Sequence, residues 1–334
     1  MNRRPGLAVL TGSRRSPFEN LWCAAFISKC REIGRRSSRR DIVLKILWFA
    51  VIVGLLRVLS VLPYSWVARF GSGLGGALYL IPSRRKHIVL VNLRLCFPLK
   101  SENERNTLGR EHFRQVIRSY FERGIQWYGS VQSLTKRVTI ESSIDLDDAD
   151  APPTIFMDFH FVGLEVGCLL YSTRQPVAAL YSRMSNVRLC ELARKRRGRF
   201  GAEMVERGAS ARKILGLLRA GTPVMLAADL DHGAANSVFV PFFGIPACTL
   251  TSVSRLAKVA GARVVPFVTE VLPDFKGYKL TIFEPLADFP SGNDTTDACR
   301  MNAFLEAQIL RFPEQYYWVH RRFKNRPAGT PGVY

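Results

Sequence analysis

An α/β layered domain with a central, mostly parallel sheet flanked by helices is the fold class the sequence predicts, preceded by a hydrophobic anchor helix and a helical segment. Three observations carry it. From residue 154 onward, short apolar runs of strand length alternate with longer segments of helical period. An apolar run, Ile46–Leu62, is interrupted only by Arg57. The 334 residues are 47% hydrophobic, enough for a sizeable core and too much for general disorder.

In chain order, residues 1–40 carry ten Lys/Arg against two acidic residues with no sustained apolar period, which predicts a mobile basic arm. Residues 41–63, "DIVLKILWFAVIVGLLRVLSVLP", predict a membrane anchor helix, spanning or half-inserted, because a span needs about 17–25 apolar residues. Pro63, Tyr64 and Trp66 extend it into an interfacial belt. A buried core helix is the alternative. Residues 64–150 read as helices with basic and aromatic faces. Within them "GSGLGG" (Gly71–Gly76) lacks a preceding strand, so it signals close helix packing rather than a nucleotide loop. An acidic, Pro-containing link over 141–153 leads into the α/β core, 151–334. Its expected strands are Thr154–Phe159, Val177–Tyr181, Pro223–Ala228, Arg263–Thr269 and Tyr278–Phe283. The expected helices are Gly163–Ser172, Ser210–Ala220, Thr249–Ala260 and Asp294–Phe312.

The formal charge of +21 points to an anionic partner, which on charge alone is nucleic acid, acidic lipid or an acidic protein. Seven scattered cysteines form no disulfide framework and no zinc spacing. With no Gly-rich phosphate loop either, no cofactor and no metal are expected.

The stretch "TIFMDFHFVGLEVGCLL" sets His160 and Glu165 in an apolar run, where unpartnered polar groups are costly. Five residues apart, they cannot meet in mid-helix. They can meet if the strand ends at His160 and Glu165 sits in the first turn of the next helix. Glu165 would then orient the imidazole, whose other nitrogen takes a proton from a substrate hydroxyl. A satisfied structural pair is the alternative. No protein nucleophile accompanies the pair, which suits direct transfer to an acceptor alcohol. Asp158 is expected to be exposed at the strand end.

Three further stretches bear on binding. "ALYSRMSN" places Tyr181, Arg183 and Asn186 after a strand, where α/β sheets carry ligand groups. "AADLDHG" does the same with Asp229, Asp231 and Gly233; with only two carboxylates, a hydrogen-bonding loop is favoured over a metal site. "PEQYYWVHRRFKNRP" interleaves aromatic and basic residues, including Arg321 and Arg322, in a pattern that fits RNA, anionic headgroups or a phosphorylated substrate. Between Arg183 and Arg219, eleven Lys/Arg face three acidic residues. That run, with "RKRRGRF" and Arg199 in it, is a solvated basic face or an anion-docking surface.

The motifs "HFVGLE", "DLDHG", "SVFVPFFGIPACTLT", "ARVVPFV" and the segment from "MNAFLEAQIL" to "RRFKNRPAGTPGVY" resemble, in this order, the late (lauroyl/myristoyl-type) acyltransferases of lipid A biosynthesis. These are a branch of the lysophospholipid acyltransferase superfamily. The upstream "FGSGLGG", "RRKHIVLVNLRLCFP" and "ERNTLGREHFRQV" extend the resemblance from about residue 43 onward.

The resemblance implies an inner-membrane enzyme, its catalytic domain on the cytoplasmic side, that moves a fatty acyl chain from acyl carrier protein to a hydroxyl of a phosphorylated lipid A precursor. It implies His160 as general base and Glu165 as its partner, with Tyr181–Asn186 and Asp229–Gly233 lining the site. It also implies a C-terminal basic cluster facing phosphorylated lipid. Where many members carry an Arg after the equivalent of Tyr181, this chain has Ser182, with Arg183 next. Nucleic acid is not among the partners implied. The alternatives are an acyltransferase on another lysophospholipid or glycolipid acceptor and, from another class, a basic RNA- or membrane-binding module.

Overall fold

Helices dominate the first third of the chain and a sheet the rest. The computed structural model describes residues 39–334 apart from Ala149 and Ser210, so all but the last two residues of the expected basic arm lie outside the described residues. Helix α1 spans Arg39–Val61, followed by α2 (Tyr64–Leu78), α3 (Arg84–Cys96), α4 (Glu102–Tyr128) and the short α5 (Val131–Thr135). Among the described residues no helix is long and apolar enough to cross a membrane, which corrects the expectation of a spanning anchor. Lys45 and Arg57 bound an uncharged run of eleven residues, Ile46–Leu56. At 1.5 Å per residue that run is roughly 16 Å long, against a hydrocarbon core of about 30 Å.

Residues Val53–Tyr334 form one compact unit. Within it α2 and α4 pack through the glycines of "GSGLGG". A Cβ on Gly75 would lie 2.5 Å from the Phe113 carbonyl oxygen and 2.7 Å from Arg114 Cα, so only glycine lets the two backbones approach this closely. The packing role expected for these glycines is the one observed. A buried polar cluster pins the same helices to the sheet. Arg118 Nε donates to Glu122 Oε1 at 2.6 Å, Arg118 Nη2 to the Tyr64 hydroxyl at 2.7 Å, and the Tyr278 hydroxyl to Glu122. A capping box starts α4, with Ser101 Oγ accepting from Glu104 N–H and the Glu104 carboxylate accepting from Ser101 N–H.

The sheet has seven strands. They are β1 (Val138–Ser142), β2 (Thr154–Asp158), β3 (Ala178–Tyr181), β4 (Glu203–Glu206), β5 (Val224–Ala227), β8 (Arg263–Val271) and β9 (Tyr278–Ile282), in the order β1-β9-β8-β2-β5-β3-β4. Strands β8, β2, β5, β3 and β4 pair in parallel; β9 is antiparallel to β8 and parallel to β1. The helices between them are α6 (Leu164–Tyr171), α7 (Val187–Arg197), α8 (Ala211–Arg219), α9 (Ser252–Ala260) and, after β9, α10 (Asp294–Arg311). The antiparallel pair β6 (Ser237–Phe242) and β7 (Ile245–Leu250) stands apart from the sheet. It turns through Phe243 and Gly244, both at positive φ, as a tight hairpin requires.

All five residues of β2 are buried, as expected of a parallel strand covered on both faces. On one face Ile155, Met157 and Phe159 join α10 side chains such as Leu305 and Ile309 in the main core. On the other, Phe156 meets Tyr171 and Phe267 at centroid distances of 4.9 and 5.4 Å. The chain after α10 forms a strap across the strand ends, in which Tyr316, Trp318, Arg322 and Phe323 are all buried.

Gly75→Ala forces backbone atoms apart and is expected to cost at least about 2 kcal/mol in urea denaturation. Gly73→Ala, on the same helix with open space around its Cβ, is expected to be neutral or stabilising by up to about 1 kcal/mol. Equal tolerance at both sites would refute the packing account.

Candidate active site

The site sits where the strand order reverses. From β2 the chain passes to β3, leaving a slot that β5 later fills, and after β5 it crosses to β8 on the other side of β2. Such a reversal opens a crevice at the carboxyl ends of the central strands. Asp158 is in register with Ala227, and counting two residues on along each strand brings His160 opposite Asp229.

His160 Nδ1 lies 2.7 Å from Asp229 Oδ1, and His160 backbone N–H donates to Oδ2 at 3.0 Å, so both carboxylate oxygens are taken by one residue. Burial pushes the Asp229 carboxyl up, but the imidazole, these two hydrogen bonds and Arg322 outweigh it and hold the group below the ordinary carboxylate range. An ionised carboxylate only accepts, so Nδ1 carries the shared proton and Nε2 is left as the basic nitrogen.

The carboxylate expected against His160 was Glu165, and this is corrected: Glu165 turns to other partners. It accepts from Arg197 Nη2 at 2.9 Å, lies 3.5 Å from Arg123 Nε and accepts from the indole N–H of Trp127. Burial would raise its carboxyl; Arg197, Arg123 and the two hydrogen bonds bring it down to about 2. Asp158, expected at the surface, is 2% exposed. One of its oxygens accepts from Phe159 N–H at 2.7 Å. Burial drives the group well above the carboxylate range, and Asp229 adds to this. The site therefore holds two carboxyls that their surroundings push in opposite directions.

His160 opens on a cavity of about 550 Å³. Its inner walls are apolar, built by Leu169, Ala179, Met204, Met225 and Leu250, and its polar lining includes Arg123, Arg197, Arg207, His232, Tyr317 and His320. Burial and neighbouring positive charge bring both His232 and His320 down to about 4, so two neutral imidazoles accompany the base.

Of the other expected binding residues, Tyr181 lines the cavity together with Ser182. Arg183 points away, its side chain 72% exposed and paired with Glu206 at 3.2 Å. The arginine beside Tyr181 that does line the cavity is Arg207, whose backbone N–H donates to the Tyr181 carbonyl at 2.7 Å. Asn186 caps α7 by accepting from Leu189 N–H at 3.1 Å. Arg199 clasps the Gln126 and Gly129 carbonyls at 3.0 and 2.6 Å, and Asp231 accepts from Gly233 N–H and from Asn325. Gly233, at φ 107°, makes that turn.

Arg322, expected to face phosphorylated lipid, is 1% exposed and spends its guanidinium on Cys248 O and Thr249 Oγ1 at 2.7 and 3.0 Å. Arg321 is half-buried. The aromatic and basic strap is thus largely core: Trp318 packs on Phe97 and Tyr316, and Tyr316 on Phe161 and Phe242. Among the described residues no group of three or more His, Cys, Asp or Glu could hold a metal ion. The five described cysteines are free.

His160 and Asp229 thus stand at the carboxyl ends of a parallel sheet, on a crevice with a largely apolar lining. The chain matches the family described as bacterial lipid A biosynthesis acyltransferase over residues 35–325, and it belongs to that family. It is 34% identical to the lipid A biosynthesis lauroyltransferase of Escherichia coli (strain K12) over 84% of this chain and 93% of that protein. Similarity to the palmitoleoyltransferase of the same organism is 32% over 86% and 94%, and to its myristoyltransferase 31% over 79% and 80%.

Glu165→Gln leaves two half-buried guanidinium groups without their anion and is expected to lower stability by roughly 1–2 kcal/mol at pH 7. Because the folded-state carboxyl lies near 2, the contribution is complete above about 4.5 and is lost as pH falls towards 2. The gap between wild type and variant should therefore narrow between pH 4.5 and 3 in urea titrations. A constant gap would mean that the charge is not what stabilises.

Proposed function

We propose that the protein transfers a fatty acyl chain from acyl carrier protein to a hydroxyl of a phosphorylated lipid A precursor, with His160 as general base and Asp229, in place of Glu165, as its orienting carboxylate. The observation that carries this is the His160–Asp229 pair at 2.7 Å opening on a largely apolar cavity. The relatives' names specify lipid A and three different acyl chains, which fits an acyl chamber whose walls set chain choice.

The acceptor hydroxyl gives its proton to His160 Nε2 as its oxygen attacks the thioester carbonyl carbon. The imidazolium is stabilised by Asp229. On collapse the carbon–sulfur bond breaks, the ester forms and the departing sulfur takes the proton back from His160. Glu165 holds Arg123 and Arg197 at the cavity, where they offer positive charge to an anionic substrate. On α7 Arg188, Arg194 and Lys195 face outward, and we assign Arg194 and Lys195 to the acidic carrier protein; Arg197 is turned inward to Glu165. The protein works at the bacterial inner membrane with this unit on the cytoplasmic face. Exposed Trp66, Phe70, Leu80 and Ile81 support contact with lipid.

The test is purified protein with acyl-acyl carrier protein and a phosphorylated lipid A precursor, read by mass spectrometry. His160→Ala is expected to abolish transfer, and Asp229→Asn to lower kcat at least about 100-fold with little change in either KM. Near-wild-type turnover in His160→Ala would end the mechanism. Replacing Arg194 and Lys195 together by Glu should raise the KM for the donor and flatten its salt dependence while kcat holds. A rise in the acceptor KM instead would reassign that face to lipid phosphate.

A further inference from the structure

His320 is the second imidazole with a defined hydrogen-bonding state in this cavity. Its Nε2 accepts the backbone N–H of Asp231 at 3.2 Å. In the neutral ring an accepting Nε2 fixes the proton on Nδ1, and that nitrogen has no hydrogen-bond partner among the described residues. The ring lines the same cavity as His160. Backbone contacts tie the two together: Tyr317 N–H donates to the His160 carbonyl at 2.9 Å, and His320 N–H to the Tyr317 carbonyl at 3.1 Å. Asn92 Nδ2 holds the Trp318 and His320 carbonyls, each at 2.7 Å. A donor fixed in this way needs no reorganisation when charge develops in front of it. His232 lines the cavity too, but among the described residues no hydrogen bond selects its tautomer.

We propose that His320 is a catalytic residue that donates a hydrogen bond from Nδ1–H to the carbonyl oxygen of the acyl thioester, stabilising the oxyanion of the tetrahedral intermediate. The proposal rests on the acyl-transfer reaction assigned above. As the acceptor oxygen bonds to the carbonyl carbon, the π electrons move onto the carbonyl oxygen and the hydroxyl proton goes to His160. The oxyanion accepts from His320 without taking its proton. When the carbonyl re-forms, the carbon–sulfur bond breaks and the sulfur leaves with the proton held by His160. His320 suits this role because it stays neutral: burial, then His160, His232 and Arg322, outweigh Asp229 and bring it down to about 4. A protonated ring would also turn an N–H against the N–H of Asp231.

Two variants separate the donor from a structural role. His320→Gln can keep an acceptor for Asp231 N–H but has no donor at the Nδ1 position. It is expected to lower kcat by about 10²–10³-fold with both KM values within about twofold. His320→Asn places an amide N–H near the Nδ1 position and gives up the Asp231 contact. It is expected to recover most of that loss while melting at a lower temperature. Wild-type kcat in His320→Gln, or no advantage of Asn over Gln, overturns the proposal.

A measurement on the wild-type protein accompanies these: long-range ¹H–¹⁵N NMR of labelled histidines should show a neutral, Nδ1-protonated His320 from pH 8 to about 5. An Nε2-protonated ring or an imidazolium at pH 7 overturns the proposal whatever the kinetics. If the wild type itself fails to turn over, the acyl-transfer assignment falls and this proposal with it. Wild-type turnover with an unaffected Gln variant removes His320 alone.

Discussion

The parallel register between β2 and β5 is the constraint on which the site depends. With Asp158 beside Ala227, the chain delivers His160 and Asp229 to the same height at the sheet's carboxyl edge. Both oxygens of Asp229 then close on His160. A slip of one residue would turn every side chain of β2 to the opposite face and separate the pair. The burial of all five β2 residues prevents that slip, since each face of the strand is committed to its own core cluster. The His160–Asp229 geometry and hydrophobic burial are thus enforced by the same ladder of hydrogen bonds.

The charge of the molecule divides between structure and surface. Arg118 and Arg322 are enclosed, and each finds carboxylate, backbone or hydroxyl oxygens that replace water. Their desolvation is offset locally, so they hold elements together rather than attract partners. At the site the opposite economy applies. Burial works against charge at Asp158 and at two of the three cavity histidines, whereas Asp229 against His160 and Glu165 between Arg123 and Arg197 are held as carboxylates by their partners. In the proposed mechanism, proton transfer to His160 creates an ion pair with no net charge, a tolerable change next to the largely apolar cavity.

The five strands read from the sequence match the observed ones to within about two residues, because runs such as Thr154–Asp158 and Arg263–Val271 are buried, apolar and rich in branched side chains. Strand β4, four residues with Glu at both ends, gives no such signal. Strand β1 is a half-exposed edge strand, and β6–β7 carries Pro241 and Pro246 within its ladder. His160 was legible as a functional candidate because a histidine in an apolar run demands a partner. The partner was not legible: Glu165 is five residues away and Asp229 sixty-nine, and only pairing between strands distant in sequence makes the second nearer. Arg322 misled for a related reason. A buried arginine and a phosphate-facing one look alike until the carbonyl of Cys248 is seen to meet it.

The strap's hold on the site has a consequence in time. His160 is separated from Asp229 by sixty-nine positions, and Asp231 from His320 by a further eighty-nine. At synthesis rates of about 5–20 residues per second, the ribosome completes the segment that bonds to His160 roughly ten to thirty seconds after making His160 itself. Through that interval the nascent chain carries an imidazole without its full surroundings, and the competent site arises in one late step when the final segment docks.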